Sequence, residues 1–357
     1  MIRIDIVDDN LRERTGHYFD FCFQMAREFK QAGFDIRVWG ANDSSGEVVQ
    51  YFDQLGVAYY KLPGPPSLAS QWHIEEHARC LATALEETST SGLVFFPTLT
   101  AESLLAVSML RTTPRTVGLV HHDPFFERPG TTKIWRNAAA NLCNRDITIG
   151  AMDPLIGGFL QSYLGDWPVM DMPMPIGGCC KSDYYVKPQT IGFFGHQREE
   201  RGGSLIPTMS QLLLQAGYKV LIHDTRGQFR IDGSLPGVRL VNGYADDLGQ
   251  LMKECDMVVC PMDRSRYLHR TSGIACTAIA NGIPLVLPAG TLSAFRLHGF
   301  GSSRCYDEST PNEIMQAIQE IAGDYARHTE CAQRAARQWG KKHGVKNLFD
   351  FCCRLIS

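Results

Sequence analysis

The sequence predicts an α/β protein built from two Rossmann-like, doubly wound domains. Its 357 residues are too many for one ordinary hydrophobic core and suit two domains of about 150 residues each. Short apolar runs alternate with amphipathic helical stretches, which is typical of parallel sheets covered by helices on both faces. The pattern starts near residue 2 and starts again at Thr190, after a stretch rich in proline and glycine. We therefore predict domains at 1–172 and 190–335, a connection at 173–189 and a C-terminal helical tail at 336–357.

The predicted first domain opens with a βαβ unit, the building block of doubly wound sheets. An apolar run at 2–7 predicts a strand, apolar side chains on one face of 15–32 predict a helix, and 34–39 predicts the second strand. The junction between the first strand and the helix contains Gly16 and His17. Such junctions lie at the carboxyl edge of a sheet, where ligands bind. His17 is therefore a candidate substrate contact, and a helix-capping or solvated histidine is equally consistent with the sequence.

Two more histidines follow a later strand of the first domain. The remaining predicted strands are 57–62, 93–97, 116–120 and 146–150, and the remaining predicted helices are 74–87 and 154–164. The strand at 116–120 leads into His121, His122 and Asp123. This trio could bind a metal ion, but no further ligand lies at a spacing typical of such a site. We therefore expect no metal here, and a histidine bonded to the backbone is the structural alternative.

The second domain begins with a strand at 191–195 that leads into a loop rich in glycine and arginine. Gly195 ends the strand, and Arg198, Arg201 and a glycine pair at 202–203 follow. Guanidinium groups bind phosphate oxygens through paired hydrogen bonds. Because glycines flank the arginines at a strand end, we favour a ligand site over a solvated cluster of charged side chains. A helix follows, and strands are predicted at 218–223 and at 238–242, the latter before a turn at Gly243 and Tyr244.

The segment 255–290 is predicted as strand, loop, helix and strand. The loop carries four cationic or imidazole side chains, Arg264, Arg266, His269 and Arg270, into the turn Thr271, Ser272 and Gly273. The helix that starts there offers unpaired N–H groups, two hydroxyl groups and a glycine that permits close approach. A helix N-terminus of this kind favours anions. The sequence therefore predicts an anion site, and phosphate is the anion that we expect.

This segment resembles the nucleotide-sugar half of GT-B glycosyltransferases, especially the retaining group called family 4. The resemblance rests on a strand ending at Pro261, the loop and helix after it, and the turn 280–284, which reads Ala-Asn-Gly-Ile-Pro. The pair His122 and Asp123 also resembles a His-Asp pair that follows a central strand in that family. Two glutamates that the family carries eight positions apart correspond here to His269 and Thr277. The roles of those carboxylates are therefore not supported by this sequence.

The resemblance implies a role for each candidate site residue. His122, Asp123 and His17 are the candidate catalytic residues, and Gly16 and His17 lie on the acceptor side. The family's junction of Gly-Arg and Lys-Gly, whose cations hold the donor diphosphate, corresponds here to His196 and Arg201, with Arg198 as an additional cation. Tyr244 would lie beside the nucleotide base. The full set of candidate residues for binding the donor diphosphate and nucleotide is Gly195, His196, Arg198, Arg201, Tyr244, His269, Thr271, Ser272, Gly273 and Thr277.

The absence of several motifs, together with the composition, excludes some classes of function. The sequence has no Gly-x-Gly-x-x-Gly turn, no P-loop and no Asp-x-Asp pair, so we expect no dinucleotide cofactor and no metal on the diphosphate. A net charge of −3 gives no reason to bind nucleic acid. The start of the chain does not resemble a secretion signal, and no apolar run is long enough to span a bilayer. Twelve cysteines without zinc-type spacing predict reduced thiols. We expect a cytoplasmic protein, with peripheral contact to the inner membrane face as an open alternative.

The resemblance implies a metal-independent glycosyltransferase that uses a nucleotide sugar as co-substrate and no cofactor. The donor would bind mainly to the second domain and the acceptor to the first, with the chemistry in the cleft. A retaining outcome follows only from the resemblance; an inverting enzyme would need a base, for which His17 and Asp123 are candidates. The alternatives are a nucleotide-sugar epimerase of the same fold and a catalytically silent subunit that binds a nucleotide or glycan. The sequence leaves open the donor's base and sugar, the oligomeric state, and whether the acceptor is a glycan, a lipid-linked molecule or a small molecule.

Overall fold

The computed structural model describes residues 2–63, 74–88, 90–142, 145–183, 186–231, 235–297 and 302–356. Contacts within the chain divide it into two units. The first unit consists of Met1–Pro175 and Val345–Ser357, and the second consists of Ile176–Gly344. Each unit is built around its own sheet.

The described part of the first unit contains a sheet of seven parallel strands. These are β1 Arg3–Val7, β2 Asp35–Gly40, β3 Ala58–Lys61, β4 Leu93–Phe96, β5 Thr116–Val120, β6 Ile147–Ala151 and β7 Val169–Asp171. Their order is β3-β2-β1-β4-β5-β6-β7. The order reverses between β1 and β4, so loops leaving the carboxyl ends of these two strands diverge and open a crevice.

Helices cover the faces of this sheet. They are α1 Gly16–Gln31, α2 Gly46–Gln54, α3 Ile74–Leu85, α4 Ala101–Met109, α5 Pro124–Glu127, α6 Thr132–Leu142 and α7 Pro154–Leu164. In α1 the buried face includes Phe21 and Met25, whereas Phe23 is only half-buried. The strands are apolar on both faces, as the consecutive β4 residues Phe95 and Phe96 illustrate, with exposures of 0% and 1%. The continuous apolar runs of the sequence therefore have the cause expected for strands in a parallel sheet.

The described part of the second unit contains six parallel strands. These are β8 Thr190–Phe193, β9 Lys219–Asp224, β10 Val238–Asn242, β11 Met257–Val259, β12 Leu285–Pro288 and β13 Ser303–Tyr306. Their order is β10-β9-β8-β11-β12-β13, with the reversal between β8 and β11. The helices of this unit are α8 Ile206–Gln215, α9 Leu248–Lys253, α10 Arg264–Tyr267, α11 Gly273–Ala280, α12 Leu292–Leu297, α13 Pro311–Gly323 and α14 Tyr325–Lys342.

The end of the chain returns to the first unit. The last helix, α15 Val345–Ile356, packs on α1, and the rings of Phe349 and Phe29 lie 5.2 Å apart. The helix before it, α14, stays with the second unit: its Trp339 indole N–H donates to the carbonyl oxygen of Ile176 at 2.7 Å. The chain therefore crosses between units after Pro175 and again after Gly344, whereas the sequence placed the start of the returning tail at residue 336.

Two further observations concern the length of the helices and the state of the cysteines. Every helix among the described residues is too short or too polar to cross a lipid bilayer. The cysteines of the described part are all free thiols, and most of them are buried or half-buried.

Candidate functional site

The candidate site of the second unit lies at the carboxyl ends of β8 and β11, where the strand order reverses. The loop after β8 and the loop after β11 form the walls of a small pocket there. Its lining includes Gln197 and Arg201 from the first loop, Pro261 from the second, and Ser272 and Ile274 at the start of α11. A reversal of this kind is where doubly wound sheets bind their ligands.

Gly195 is the point at which Arg201 and α11 approach each other. Its φ of +99° is a conformation that L side chains rarely adopt. A Cβ atom at this position would lie 2.5 Å from Nη1 of Arg201 and 3.2 Å from Cδ1 of Ile274. The guanidinium group and the first turn of the helix therefore contact the same glycine, although Arg201 and Ile274 are far apart in the sequence. The structure thus brings the predicted Arg201 to the predicted helix start.

The N-terminus of α11 is capped by Ser272, whose hydroxyl accepts from the N–H of Ala275 at 3.3 Å. The Ser272 N–H in turn donates to the hydroxyl of Ser293 at 3.4 Å. Gly273 is exposed, and nothing lies within 4 Å of the position where its Cβ would be. The Thr271 hydroxyl and Nε of Arg201 are buried polar atoms with no hydrogen-bond partner in the described structure. Buried polar groups nearly always have partners, so these two atoms mark a place suited to a polar ligand.

Two other residues that were predicted to bind the nucleotide-sugar donor lie away from this pocket. The Thr277 hydroxyl donates to the carbonyl oxygen of Gly273 at 2.9 Å, within α11 itself. His269 is half-buried in the loop before the helix and, like Thr277, does not line the pocket. The positions that correspond to the family's two glutamates therefore carry neither a carboxylate nor a contact with the pocket.

A cluster of charged side chains flanks the pocket. The guanidinium group of Arg198 contacts Oε1 of Glu200, and Arg270 and Arg266 lie 3.6 and 4.0 Å from the same carboxylate. Burial lowers the pKa of Arg198, the charge of Arg201 lowers it further, and Glu200 opposes both effects. Arg198 is therefore already paired in this structure, while Arg201 faces the pocket.

His223, at the end of β9, holds two glycine turns of the site. Its Nδ1 accepts from the N–H of Gly195 at 3.4 Å, and its Nε2 lies 2.9 Å from the carbonyl oxygen of Gly243. Because a carbonyl oxygen only accepts, Nε2 carries the hydrogen and Nδ1 is free to accept. Burial lowers the pKa of His223, against the effect of the Gly243 carbonyl. The ring therefore works as a neutral bridge between the loop after β8 and the turn after β10.

Asp224, the neighbour of His223, organises the same loops through backbone hydrogen bonds. Its Oδ1 accepts from the N–H of Gln197 at 2.9 Å and lies 3.3 Å from Nδ1 of His196. Its Oδ2 accepts from the N–H groups of Gln228 and Phe229 at 2.6 and 2.8 Å. Burial alone would raise the pKa of Asp224, but these hydrogen bonds outweigh it and lower the pKa. His196 is thus engaged by an aspartate that the sequence interpretation did not single out.

The sequence held one signal for His223 and Asp224. Both are polar residues at the carboxyl end of an otherwise apolar strand, which is where doubly wound folds place functional side chains. Their partners could not be predicted, because they come from three different loops. Tyr244 lies at the same edge, after the edge strand β10, and is half-buried.

The first unit gathers three histidines at the carboxyl edge of its sheet. The ring of His17 lies 5.0 Å from that of His121 and 5.9 Å from that of His122. His17 is the second residue of α1, which begins at Gly16 with a φ of +68°. His121 stacks on Phe21 with ring centroids 5.2 Å apart. The structure therefore brings together the predicted acceptor-side residues Gly16 and His17 and the predicted His122.

His121 is the buried member of this group. Burial lowers its pKa to about 3, with a further contribution from His122, so the ring is neutral near pH 7. Its Nε2 contacts the carbonyl oxygen of Pro97 and therefore carries the hydrogen. His17 and His122 are both half-buried, which leaves them closer to solvent than His121.

Asp123 has a structural contact that accounts for its carboxylate. Its Oδ1 accepts from the N–H groups of Phe125 and Phe126 at 2.9 and 3.3 Å, so it caps α5. The side chain is 5% exposed. An oxygen in this position satisfies N–H groups that have no partner within the helix, so the structure gives the Asp123 carboxylate a structural role.

Buried acids also lie at the carboxyl edge of the first unit's sheet. Asp8, directly after β1, is 1% exposed, and burial together with the neighbouring Asp9 raises its pKa well above the usual value. Glu102, at the start of α4, is 3% exposed and pairs with Arg128 at 2.7 Å. In the described ranges, no group of three or more histidine, cysteine or acidic side chains is arranged to hold a metal ion.

Comparison with known proteins gives matches among solved structures. No protein-family model and no curated protein sequence matches the chain. Sucrose-phosphate synthase from Thermosynechococcus elongatus aligns with a TM-score of 0.71 at 11% identity, over 99% of this chain and 98% of that chain. HepE from Anabaena, solved with UDP and glucose, aligns with a TM-score of 0.68 at 15% identity, over 99% of both chains. The spinosyn forosaminyltransferase SpnP aligns with a TM-score of 0.66 at 15% identity, over 99% of both chains.

At these identities the agreement concerns the fold. It extends over nearly the whole chain in each comparison. The two parallel sheets, and the last helix α15, which belongs to the first unit, are consistent with that fold. The chain therefore has the GT-B glycosyltransferase fold that the sequence predicted.

Proposed function

We propose that this protein is a glycosyltransferase that takes a sugar from a nucleotide-sugar donor, and that the donor diphosphate binds at the carboxyl ends of β8 and β11. The observation that carries the proposal is the convergence of Arg201 and the first turn of α11 on Gly195. A guanidinium group and a helix N-terminus both favour anions. The fold supports the proposal, because HepE, which shares it, was solved with UDP and glucose.

The unpartnered atoms at this edge match the chemistry of a diphosphate. Nε of Arg201 is a donor, and the Thr271 hydroxyl can donate as well. The N–H groups of Gly273 and Ile274, the first two residues of α11, have no acceptor within the helix. Phosphate oxygens only accept, so a diphosphate would satisfy all of these donors together. No side-chain amide or carboxylate is needed for that purpose.

The position of Tyr244 suits a nucleotide base. It follows β10, which lies two strands from β8 in the sheet, and this corresponds to about 10 Å. That separation is comparable to the span of a ribose between a base and its diphosphate. The hydrogen bonds of His223 to Gly195 and Gly243 would fix the position of the phosphate end of the site relative to the base end.

We further propose that the enzyme works without a metal ion. Four guanidinium groups, those of Arg198, Arg201, Arg266 and Arg270, lie around the loops after β8 and β11. Positive charge fixed near a leaving diphosphate stabilises the charge that develops on it. This cluster would supply the charge that enzymes with an Asp-x-Asp pair obtain from a metal.

On the acceptor side, the geometry favours His17 or His122 over Asp123 as the group that contacts the reacting sugar or hydroxyl. Asp123 caps α5, and His121 is buried and neutral. A half-buried imidazole can accept a proton near neutral pH. A retaining outcome, which needs no such base, is implied by the resemblance to family 4 and stays part of the proposal.

The test is a turnover assay with UDP-, GDP-, ADP- and CMP-sugars, with and without candidate acceptors and with and without excess EDTA. Release of nucleotide that survives EDTA supports the proposal. Interconversion of the donor sugar without nucleotide release would instead identify an epimerase. Binding without turnover for every donor would identify a silent nucleotide-binding subunit, which the absence of carboxylates at His269 and Thr277 makes the main competing function.

A further inference from the structure

The Glu200 carboxylate is surrounded by guanidinium groups from the loop after β8 and from the segment between β11 and α11. Arg198 contacts it from the loop after β8. Arg266 reaches it from α10 at 4.0 Å, and Arg270 reaches it from the approach to α11 at 3.6 Å. The Glu200 carbonyl oxygen also accepts from the N–H of Asp263 at 3.0 Å. Glu200 therefore joins the two loops that enclose the proposed diphosphate site.

Four arginines surround the proposed diphosphate site. Arg201 adds a fourth guanidinium group, and its Nε has no partner among the described residues. Two acids of the same loops are engaged elsewhere: Glu199 accepts from the Ser204 hydroxyl at 2.9 Å, and Asp263 caps α10. Glu200 is a carboxylate that three of these arginines share.

We infer that Glu200 is an internal counter-ion that sets how tightly the site holds a diphosphate, an inference that rests on the proposed function. Without a ligand, its carboxylate takes contacts on the arginines that phosphate oxygens would otherwise take. When a diphosphate binds, the carboxylate and the phosphates share the same guanidinium groups and repel each other. In a site that is partly shielded from water, this repulsion is stronger than between exposed charges.

The opposite role for Glu200 makes the opposite prediction. If the carboxylate served only to hold the arginines in a shape that fits phosphate, its removal would loosen them and weaken binding. The contacts favour the counter-ion role, because a carboxylate that lies within 4.0 Å of three guanidinium groups competes with phosphate oxygens for their N–H donors. The substitution Glu200→Gln separates the two roles, since it keeps the size of the side chain and removes its charge.

The experiment is calorimetric binding of inorganic pyrophosphate, UDP and uridine to the full chain. Glu199→Gln is the matched control, because it removes the same charge one residue away from a side chain that is exposed and bonded to Ser204. We expect Glu200→Gln to bind pyrophosphate and UDP about tenfold more tightly than the wild type. We expect Glu199→Gln to stay within about twofold, and uridine binding to be the same in all three proteins. The gain should shrink at high salt, because screening weakens the repulsion.

A second variant guards against misfolding of Glu200→Gln. Glu200→Asp keeps the charge but withdraws it by one methylene, so its affinity should lie between those of the wild type and Glu200→Gln. If Glu200→Gln binds pyrophosphate no more tightly than Glu199→Gln does, or if Glu200→Asp binds less tightly than the wild type, the inference is wrong. In that case the wild type still binds UDP, and the proposed function stands. If neither the wild type nor any variant binds UDP or pyrophosphate, both the inference and the donor site fail.

Discussion

The Nζ atom of Lys181 lies 2.8 Å from Oδ1 of Asp256, and both side chains are buried in the second unit. Lys181 also donates to the carbonyl oxygen of Cys255 at 2.8 Å. The other carboxylate oxygen of Asp256 accepts from the N–H groups of Gln189 and Thr190 at 2.9 and 3.1 Å. One aspartate at the start of β11 therefore holds both ends of the segment that leads into β8.

Replacing Lys181 by Met should destabilise the second unit strongly. The substitution removes the cationic partner of a buried carboxylate, and a buried charge without its counter-ion costs about 3–5 kcal/mol. Arg239→Met is the matched control, because Arg239 pairs with Glu254 on the surface and exposed pairs contribute at most about 1 kcal/mol. Urea unfolding of the three proteins checks this. Similar unfolding midpoints for the two variants would show that Asp256 does not depend on Lys181.

The part of the fold that could be predicted from the sequence is the part with local signals. Strands such as β5 and β10 and the helix α7 have the predicted bounds. Residues typical of turns and caps mark the ends: Gly237 and Gly243 flank β10, and Asp153 and Gly165 flank α7. The sequence interpretation missed β13 and α4 for physical reasons. β13 is a short strand at the sheet edge with polar residues, and α4 is buried on nearly all sides, so neither shows a regular alternation of apolar and polar residues. β7 was not among the predicted strands, so 146–150 was wrongly taken as the last strand of the first domain.

The candidate site likewise contains residues that could be predicted from the sequence and contacts that could not. Gly195, Arg201 and Ser272 could be chosen from the sequence, because glycines, cations and a helix start have recognisable patterns at strand ends. The contacts of Asp224 and of Glu200 could not, because each depends on side chains or N–H groups that tertiary structure brings together. For Asp123, the resemblance suggested a catalytic role. In the structure, its carboxylate caps α5.

Stability should fall as the pH drops from 7 to 5, in part because of His121. The unfolded chain takes up a proton on this imidazole below a pKa of about 6.5. In the folded chain burial holds the pKa of His121 at about 3, so the folded state stays unprotonated over that range. At pH 5 this difference costs about 2 kcal/mol. Urea unfolding between pH 5 and pH 7 should show the loss in the wild type, and His121→Asn should show a shallower pH dependence. An unchanged slope would mean that His121 titrates normally in the folded state.

Two glycines near the pocket should respond differently to a side chain. A Cβ atom at Gly202, which has a φ of +73°, would lie 2.0 Å from the carbonyl oxygen of Pro261, whereas at Gly273 it would meet nothing within 4 Å. We therefore expect Gly202→Ala to lower the melting temperature by several degrees and Gly273→Val to leave it nearly unchanged. Gly273→Val should still weaken UDP binding, because its side chain stands where a phosphate would approach α11. Thermal unfolding with and without UDP distinguishes the two effects, and a normal UDP shift in Gly273→Val would argue against ligand contact at this helix start.

The last prediction concerns Arg201 itself. Its guanidinium group contacts Gly195 beside the first turn of α11, and its Nε has no partner in the described structure. Replacing it by Ala should remove a charge-assisted hydrogen bond of about 1.5–3 kcal/mol, and UDP affinity should fall about ten- to a hundredfold. Uridine affinity should hardly change, because uridine has no phosphates.

Arg239→Ala is the control for the Arg201 substitution, since it removes the same charge from β10, where Arg239 pairs with Glu254 at the surface. Calorimetry of UDP and uridine with the wild type and both variants measures the difference. Because the proposal places Arg201 in contact with the phosphates, its loss should also reduce the slope of UDP affinity against salt concentration, whereas Arg239→Ala should leave that slope as it is. Equal UDP affinities in all three proteins would mean that the diphosphate does not bind at this edge, and the glycosyltransferase proposal would then lose the observation that carries it.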